Sequence, residues 1–161
     1  GSEMCIRDSV SDLRFVAGGV EVSLRKSKTD QEGQGTIKGI PLGQNAATCP
    51  VRALRAWLAS AELVSGALFR PIDRHGNIKP AGLSSSAVAR IVKRCASAAG
   101  LDPAEYAGHS LRAGLATAAA AAGVSERSIM AQTGHKSEAM VRRYIRRGSL
   151  FSDNAASKVG L

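Results

Sequence analysis

Two histidines, an arginine and a tyrosine in the last third of the chain have the types and spacing needed for chemistry on a phosphate ester. His109-Ser110-Leu111-Arg112 sets His and Arg three residues apart at a helix start, so both project from one face. Ser110 is placed to cap that helix, whose N-terminus adds free N–H groups and positive potential that favour an anion. Thr133-Gly134-His135 follows, and Tyr144 lies nine residues beyond His135. Arg142, Arg143, Arg146 and Arg147 bracket the phenol, where they could hold a phosphodiester and stabilise phenolate as it forms. Each piece alone has a plainer reading: a surface histidine, or a tyrosine packed on an amphipathic helix with arginines on its solvated side.

The charge balance favours the first reading. Lys and Arg outnumber Asp and Glu by 22 to 13, a formal charge of +9. Such an excess suits a polyanionic partner, because each neutralised phosphate releases condensed counterions. From His109 to Arg147 there are seven Lys or Arg against two acids, Glu126 and Glu138, so the surplus concentrates where the motifs lie. Arg90, Lys93 and Arg94 share a second helical face, which serves equally as a phosphate-contacting stripe or an ordinary solvated one.

Several function classes find no support. Cys5, Cys49 and Cys95 are far apart, odd in number and form no CxxC pair, so neither a zinc knuckle nor a disulfide framework is indicated. His75, His109 and His135 match no compact metal-ligand spacing, and Asp30 and Glu32 form a close acid pair with no partnering histidine. No glycine loop for a nucleotide occurs, so neither metal nor cofactor is expected. No apolar run approaches the ~20 residues of a membrane span, and no signal peptide is evident. The expected setting is the cytoplasm, in association with the nucleoid. The chain starts at Gly1 rather than Met, as a fragment would.

The elements that must position these residues are legible from their patterns. A chain of 161 residues suits one domain with a real core. An aromatic share of 4% means that core is built from Ala, Val, Leu and Ile. Leu13 to Val16, the turn Ala17-Gly18-Gly19, alternating Val20 to Leu24, a polar tip from Arg25 to Gly35, and Thr36 to Ile40 predict a small three-stranded antiparallel sheet. Pro50 opens a helix with Val51, Leu54, Trp57, Leu58 and Ala61 at helical spacing. A Gly/Pro-punctuated connection (66–83) leads to a helix from Ser84 to Ala99, with Val88, Ile91, Val92 and Cys95 inward and Gly100 ending it. Helices follow over 110–122, over a short stretch capped by Ser125 and stopped at Gly134, and over 138–147. The predicted class is mainly α with a small three-stranded antiparallel sheet near the N-terminus (α+β).

In order and spacing, His109-Ser-Leu-Arg112, Gly134-His135 and Tyr144 resemble the H-x-x-R, G-H and Y elements of the tyrosine recombinases, the phage integrase family. The resemblance runs from about Leu13 to Arg147 and implies a C-terminal catalytic domain over 1–148, truncated at its N-terminus, with a tail over 149–161. The family places a catalytic lysine on the hairpin between its second and third strands, where Ser27-Lys28-Thr29 stands; this makes Lys28 the match. The residues alone leave Arg25 and Lys26 as alternatives. Its first catalytic arginine precedes a Ser-Glu pair. Ser2-Glu3 fits that pair, which puts the arginine at or beyond the start of this chain. Met4 to Ser9 departs from the apolar helix expected there, and Arg7 is out of register for the role.

The mechanism implied is phosphoryl transfer through a covalent intermediate. Tyr144 attacks a DNA phosphorus, leaving a 3′-phosphotyrosyl link and a free 5′-hydroxyl, and a strand from a second duplex then attacks that link. Arg112 clamps the nonbridging oxygens, His135 hydrogen-bonds the same phosphate, His109 assists proton transfer, and Lys28 protonates the leaving 5′-oxygen. The implied partner is double-stranded DNA, contacted by Arg90, Lys93, Arg94 and the cluster Arg142, Arg143, Arg146 and Arg147. The implied assembly is a homotetramer on paired sites, with no membrane. Three other readings stay open: an inactive DNA-binding fragment of the same fold, a type IB topoisomerase-like nick-and-reseal enzyme, and a metal-dependent hydrolase using the histidines.

Overall fold

The computed structural model describes residues 8–24, 35–135 and 137–148, the last four as backbone. Its contacts divide the chain into two compact units, Gly1–Leu101 and Asp102–Leu161.

The first unit is organised around the predicted sheet. A 3-10 turn, Val10–Asp12, leads in and is closed by a reciprocal cap: the Ser9 hydroxyl accepts the Ser11 N–H, and the Asp12 carboxylate accepts the Ser9 N–H at 2.8 Å. Strands β1 (Leu13–Val16), β2 (Gly19–Leu24) and β3 (Thr36–Pro41) pair antiparallel in that order, with Leu13 opposite Val22, Phe15 opposite Val20, and Val20 opposite Ile40. Glycine is required at position 19, because a Cβ there would lie 2.1 Å from the Ile40 carbonyl oxygen.

Helix α1 (Pro50–Ser60) starts as the proline predicts and covers one face of the sheet. Val20, Cys49 and Val51 form the buried centre, packed by Leu13, Phe15, Ile40 and Leu54. Burying such a side chain fully stabilises by about 1.5–3 kcal/mol. Trp57 donates its indole N–H to the Leu68 carbonyl at 2.9 Å and so ties α1 to the connection that follows. That connection contains a tight loop organised by Asp73. Its carboxylate is held at about pKa 2 by Lys79, at 2.7 Å, and by the N–H groups of Asn77 and His75.

Helix α2 (Ser85–Ala98) is capped by the Ser84 hydroxyl, which accepts the Ala87 N–H. Its inward face differs from the predicted one. Val92 and Ala96 are buried, whereas Ile91 is 38% exposed and Cys95 is also exposed. The inward stripe runs with i, i+4 spacing from half-buried Val88 to buried Val92 and Ala96, so the small alanine sits where the larger cysteine was expected.

The second unit is helical: a 3-10 turn Pro103–Glu105, then α3 (Ser110–Ala121), α4 (Glu126–Thr133) and α5 (Glu138–Gly148). All three helices pack on one another around Ala116, Ala120, Ile129 and Val141, with Ala119, Met130 and Tyr144 against that cluster. The alanines let neighbouring helices approach closely, because interaxial distance follows side-chain size at the contact. Among the described residues no helix is long and apolar enough to cross a membrane.

Candidate active site

Four of the five expected reactive side chains fall in the second unit, and helix ends place three of them. His109 occupies the N-cap of α3, since its carbonyl accepts the Ala113 N–H at 3.1 Å, the first bond of the helical ladder. Ser110, expected as the cap, is instead the first helical residue; its hydroxyl accepts the Ala107 N–H at 2.9 Å and closes the preceding turn. The His109 side chain makes no capping bond and is exposed, hence open to solvent and ligand.

Arg112, one turn on, is half-buried. Its guanidinium lies over the C-terminal end of α4, with Nη2 3.8 Å from where a Cβ of residue 134 would stand. Gly134 is there for its backbone. It ends α4 in the left-handed conformation (φ 70°, ψ 25°), donating its N–H to the Met130 carbonyl at 2.8 Å. That reversal ends the helix immediately before His135, which feels the Arg112 charge.

His135 is gripped from one side and faced from two others. Its Nδ1 lies 2.6 Å from the Thr133 hydroxyl, which itself donates to the Ile129 carbonyl at 2.6 Å. The ring of Tyr144 stands 5.7 Å away between centroids, tilted by 46°. Burial, then the neighbouring Arg112 charge, holds the imidazole below its ordinary pKa of 6.5, so it is neutral at physiological pH. Tyr144 is half-buried on the same side of α5 as Val141, three residues back, and packs on the alanine cluster. A phenol, a neutral imidazole and a guanidinium thus adjoin within one packed unit. Such a set can bind an oxyanion and move a proton.

The bracketing arginines separate. Arg142 contacts Glu126 on α4 at 3.1 Å and Glu138 one turn back at 2.8 Å. Arg143 is exposed. The side chains of Arg146 and Arg147, like Lys28, lie outside the described residues, as do Arg7, Ser2-Glu3, Asp30, Glu32 and the tail. Arg90, Lys93 and Arg94 are exposed along α2 in the first unit. His75 is also in that unit, accepting from Arg74 Nε at 3.0 Å. Among the described residues no three His, Cys, Asp or Glu converge on a point that could hold a metal ion.

Sequence reasoning missed Thr133 as a partner of the site. Its one signal was position: a hydroxyl two residues before the histidine, on the last turn of a helix ended by glycine. It also missed the carboxylates around Arg142. Glu126 and Glu138 were visible only as a local minority of acids, and 16 residues separate Arg142 from Glu126.

This constellation has relatives. The Phage integrase family profile matches residues 2–149. An integrase/recombinase xerD homolog from Selenomonas ruminantium is 46% identical over 148 residues, covering 92% of this chain and 43% of that protein. The crystal structure of XerA recombinase superposes with a TM-score of 0.65 at 19% identity, over 90% of this chain and 46% of that one. XerH site-specific recombinase bound to palindromic difH substrate, a post-cleavage complex, gives 0.68 at 19% identity, over 100% and 42% respectively. The chain therefore spans less than half the length of these relatives, and the structural likeness at such identity is one of fold. With the matched region taking in all but the first residue and the last dozen, this chain belongs to the phage integrase family, the tyrosine recombinases.

Proposed function

We propose that this chain carries out site-specific DNA recombination, cutting and rejoining strands through a 3′-phosphotyrosyl intermediate, with residues 1–148 as its catalytic domain and 149–161 as a tail. The observation that carries this reading is the packing of Tyr144 against His135, with Arg112 beside that imidazole. Tyr144 Oη bonds to phosphorus as the P–O5′ bond breaks. The phenolic proton passes to a neighbouring base, and the 5′-oxygen takes a proton from Lys28, the residue the family resemblance assigns to that role. Tyrosine ordinarily loses its proton near pH 10, so attack at neutral pH needs both the base and the cationic surroundings. Arg112 spans two nonbridging oxygens, a geometry that planar guanidinium matches. His109 assists the proton transfer from its exposed position at the helix N-terminus.

DNA affinity comes from phosphate contacts by Arg90, Lys93, Arg94, Arg143, Arg146 and Arg147. Arg142 joins them only by leaving its two carboxylates. Recombination joins two duplexes, so the working assembly is a homotetramer on paired sites. The solved XerH relatives, described as bound to difH substrate before and after cleavage, are consistent with this partner.

The test is covalent trapping on a nicked duplex whose cleaved 5′ fragment diffuses away, using DNA that flanks the chain's own gene. A protein–DNA adduct that is lost in Tyr144→Phe supports the reading. A persistent adduct in that variant overturns it.

A further inference from the structure

Arg142 stands two residues before Tyr144, yet its guanidinium turns toward carboxylates. Its Nε meets both carboxylate oxygens of Glu126 on α4, at 3.1 and 3.4 Å, and its Nη2 meets Glu138 at 2.8 Å. Glu126 and Glu138 are the first residues of α4 and α5, where a helix dipole favours negative charge. The contact with Glu138 stays within one helix and fixes the direction of the arginine side chain. The contact with Glu126 crosses between helices.

That crossing matters because of what holds α5 on its other side. Val141 is fully buried with Ile129 of α4 and with Ala116 and Ala120 of α3. Two of these three neighbours are alanines, whose side chains are too short to form the deep ridges that stop a helix from rolling. Successive residues lie about 100° apart around a helix, so Val141 and Arg142 attach α5 in two separate directions. A second attachment of this kind resists rotation about the helix axis. Tyr144 rides on that rotation. With side-chain ends about 5–6 Å from the axis, a roll of ~10° moves them by about 1 Å. A displacement of that size at a reacting atom can cost on the order of 10²-fold in rate.

We propose that Arg142 is a positioning residue: core packing seats α5, and the bridge from Arg142 to Glu126 sets its roll and so trims the aim of Tyr144 at the phosphate. The proposal rests on the recombinase reading above and deepens it, by moving one arginine from the phosphate contacts to the support of the nucleophile. Exposed ion pairs are individually weak, so the bridge biases the roll and does not lock it.

The two roles for Arg142 diverge when Glu126 is neutralised. An arginine that served DNA would be released to a phosphate by Glu126→Gln, and cleavage would be as fast as before or faster. As a bridge, Glu126→Gln should slow single-turnover adduct formation at saturating DNA about two- to fivefold, the range an exposed ion pair commands, without weakening DNA affinity. Arg142→Ala should give the same slowing and keep the salt dependence of DNA binding. The double variant should be no slower than either single one, because both remove one interaction. A reading independent of cleavage comes from 3-fluorotyrosine. The chain has two tyrosines, Tyr106 and Tyr144, so fluorine NMR reports each, with Tyr106→Phe assigning the pair. The Tyr144 signal should shift or broaden alike in both single variants and no further in the double. An unchanged Tyr144 signal or unslowed cleavage in Glu126→Gln overturns the proposal. So does a salt slope lowered by about one counterion in Arg142→Ala. Absence of adduct from every chain, wild type included, counts instead against the recombinase reading, and the fluorine signals and binding slopes still decide the role of Arg142.

Discussion

The two sides of α5 show how similar residue types in one short stretch take on different work. On one side Val141 is fully buried, and Tyr144 packs beside it with its ring toward His135. On the other, Arg142 is fixed in solvent by carboxylates from its own helix and from α4. Core packing sets the tyrosine, and exposed ion pairs set the arginine. The lesson is that arginines flanking a reactive residue are not interchangeable. Those with carboxylate partners hold helices, while those without are open to a phosphate.

If that contrast is right, the largest effects lie on the buried side. Arg112→Ala should lower strand cleavage on the order of 10²–10³-fold, the usual cost of removing one oxyanion-stabilising group. It should also raise the His135 titration toward 6.5, as seen by NMR. Ile129→Ala, at a position 2% exposed, should cost about 2–5 kcal/mol of stability through the cavity it leaves, measured by denaturant unfolding. Gly134→Ala is a smaller change. The left-handed backbone at φ 70° should cost about 1–2 kcal/mol, and the added methyl only touches the Arg112 guanidinium.

The pH response sharpens the comparison further. Folded His135 refuses a proton that the unfolded chain binds at about 6.5, so the unfolded state carries more protons just below that value. Stability should therefore fall as pH drops through 6.5 toward the lower folded value, and return above it. Subtracting the profile of His135→Gln isolates this term from Asp8, which burial and then Asp12 push up to about 6 and which works in the opposite sense. The smallest effect belongs to the solvated side. Arg142→Ala should cost no more than about 1 kcal/mol, most of it lost at high salt. Arg143→Ala should leave stability alone and reduce the salt dependence of DNA binding by about one counterion.

Local chemistry explains what the sequence disclosed. The strands were visible because Val20, Val22 and Leu24 alternate with polar residues, and the α4 cap because Ser125 and Gly134 bracket an eight-residue helix. Cap residues and alternation act over a few positions, so they survive in one dimension. The inward face of α2 was misjudged because Val88, Ile91, Val92 and Cys95 are all apolar, and only packing decides between overlapping stripes. The motif residues His109, Arg112, His135 and Tyr144 were recognisable by order and spacing. What Thr133 does to His135, and what Glu126 does to Arg142, depends on distances that spacing does not encode.

The most direct test of the central claim is to locate the DNA on the protein. After trapping, nuclease digestion and proteolysis, peptide mass spectrometry should find the residual nucleotide on Tyr144. Nucleotide on Tyr106, the other tyrosine of the chain, or on a serine would contradict the account.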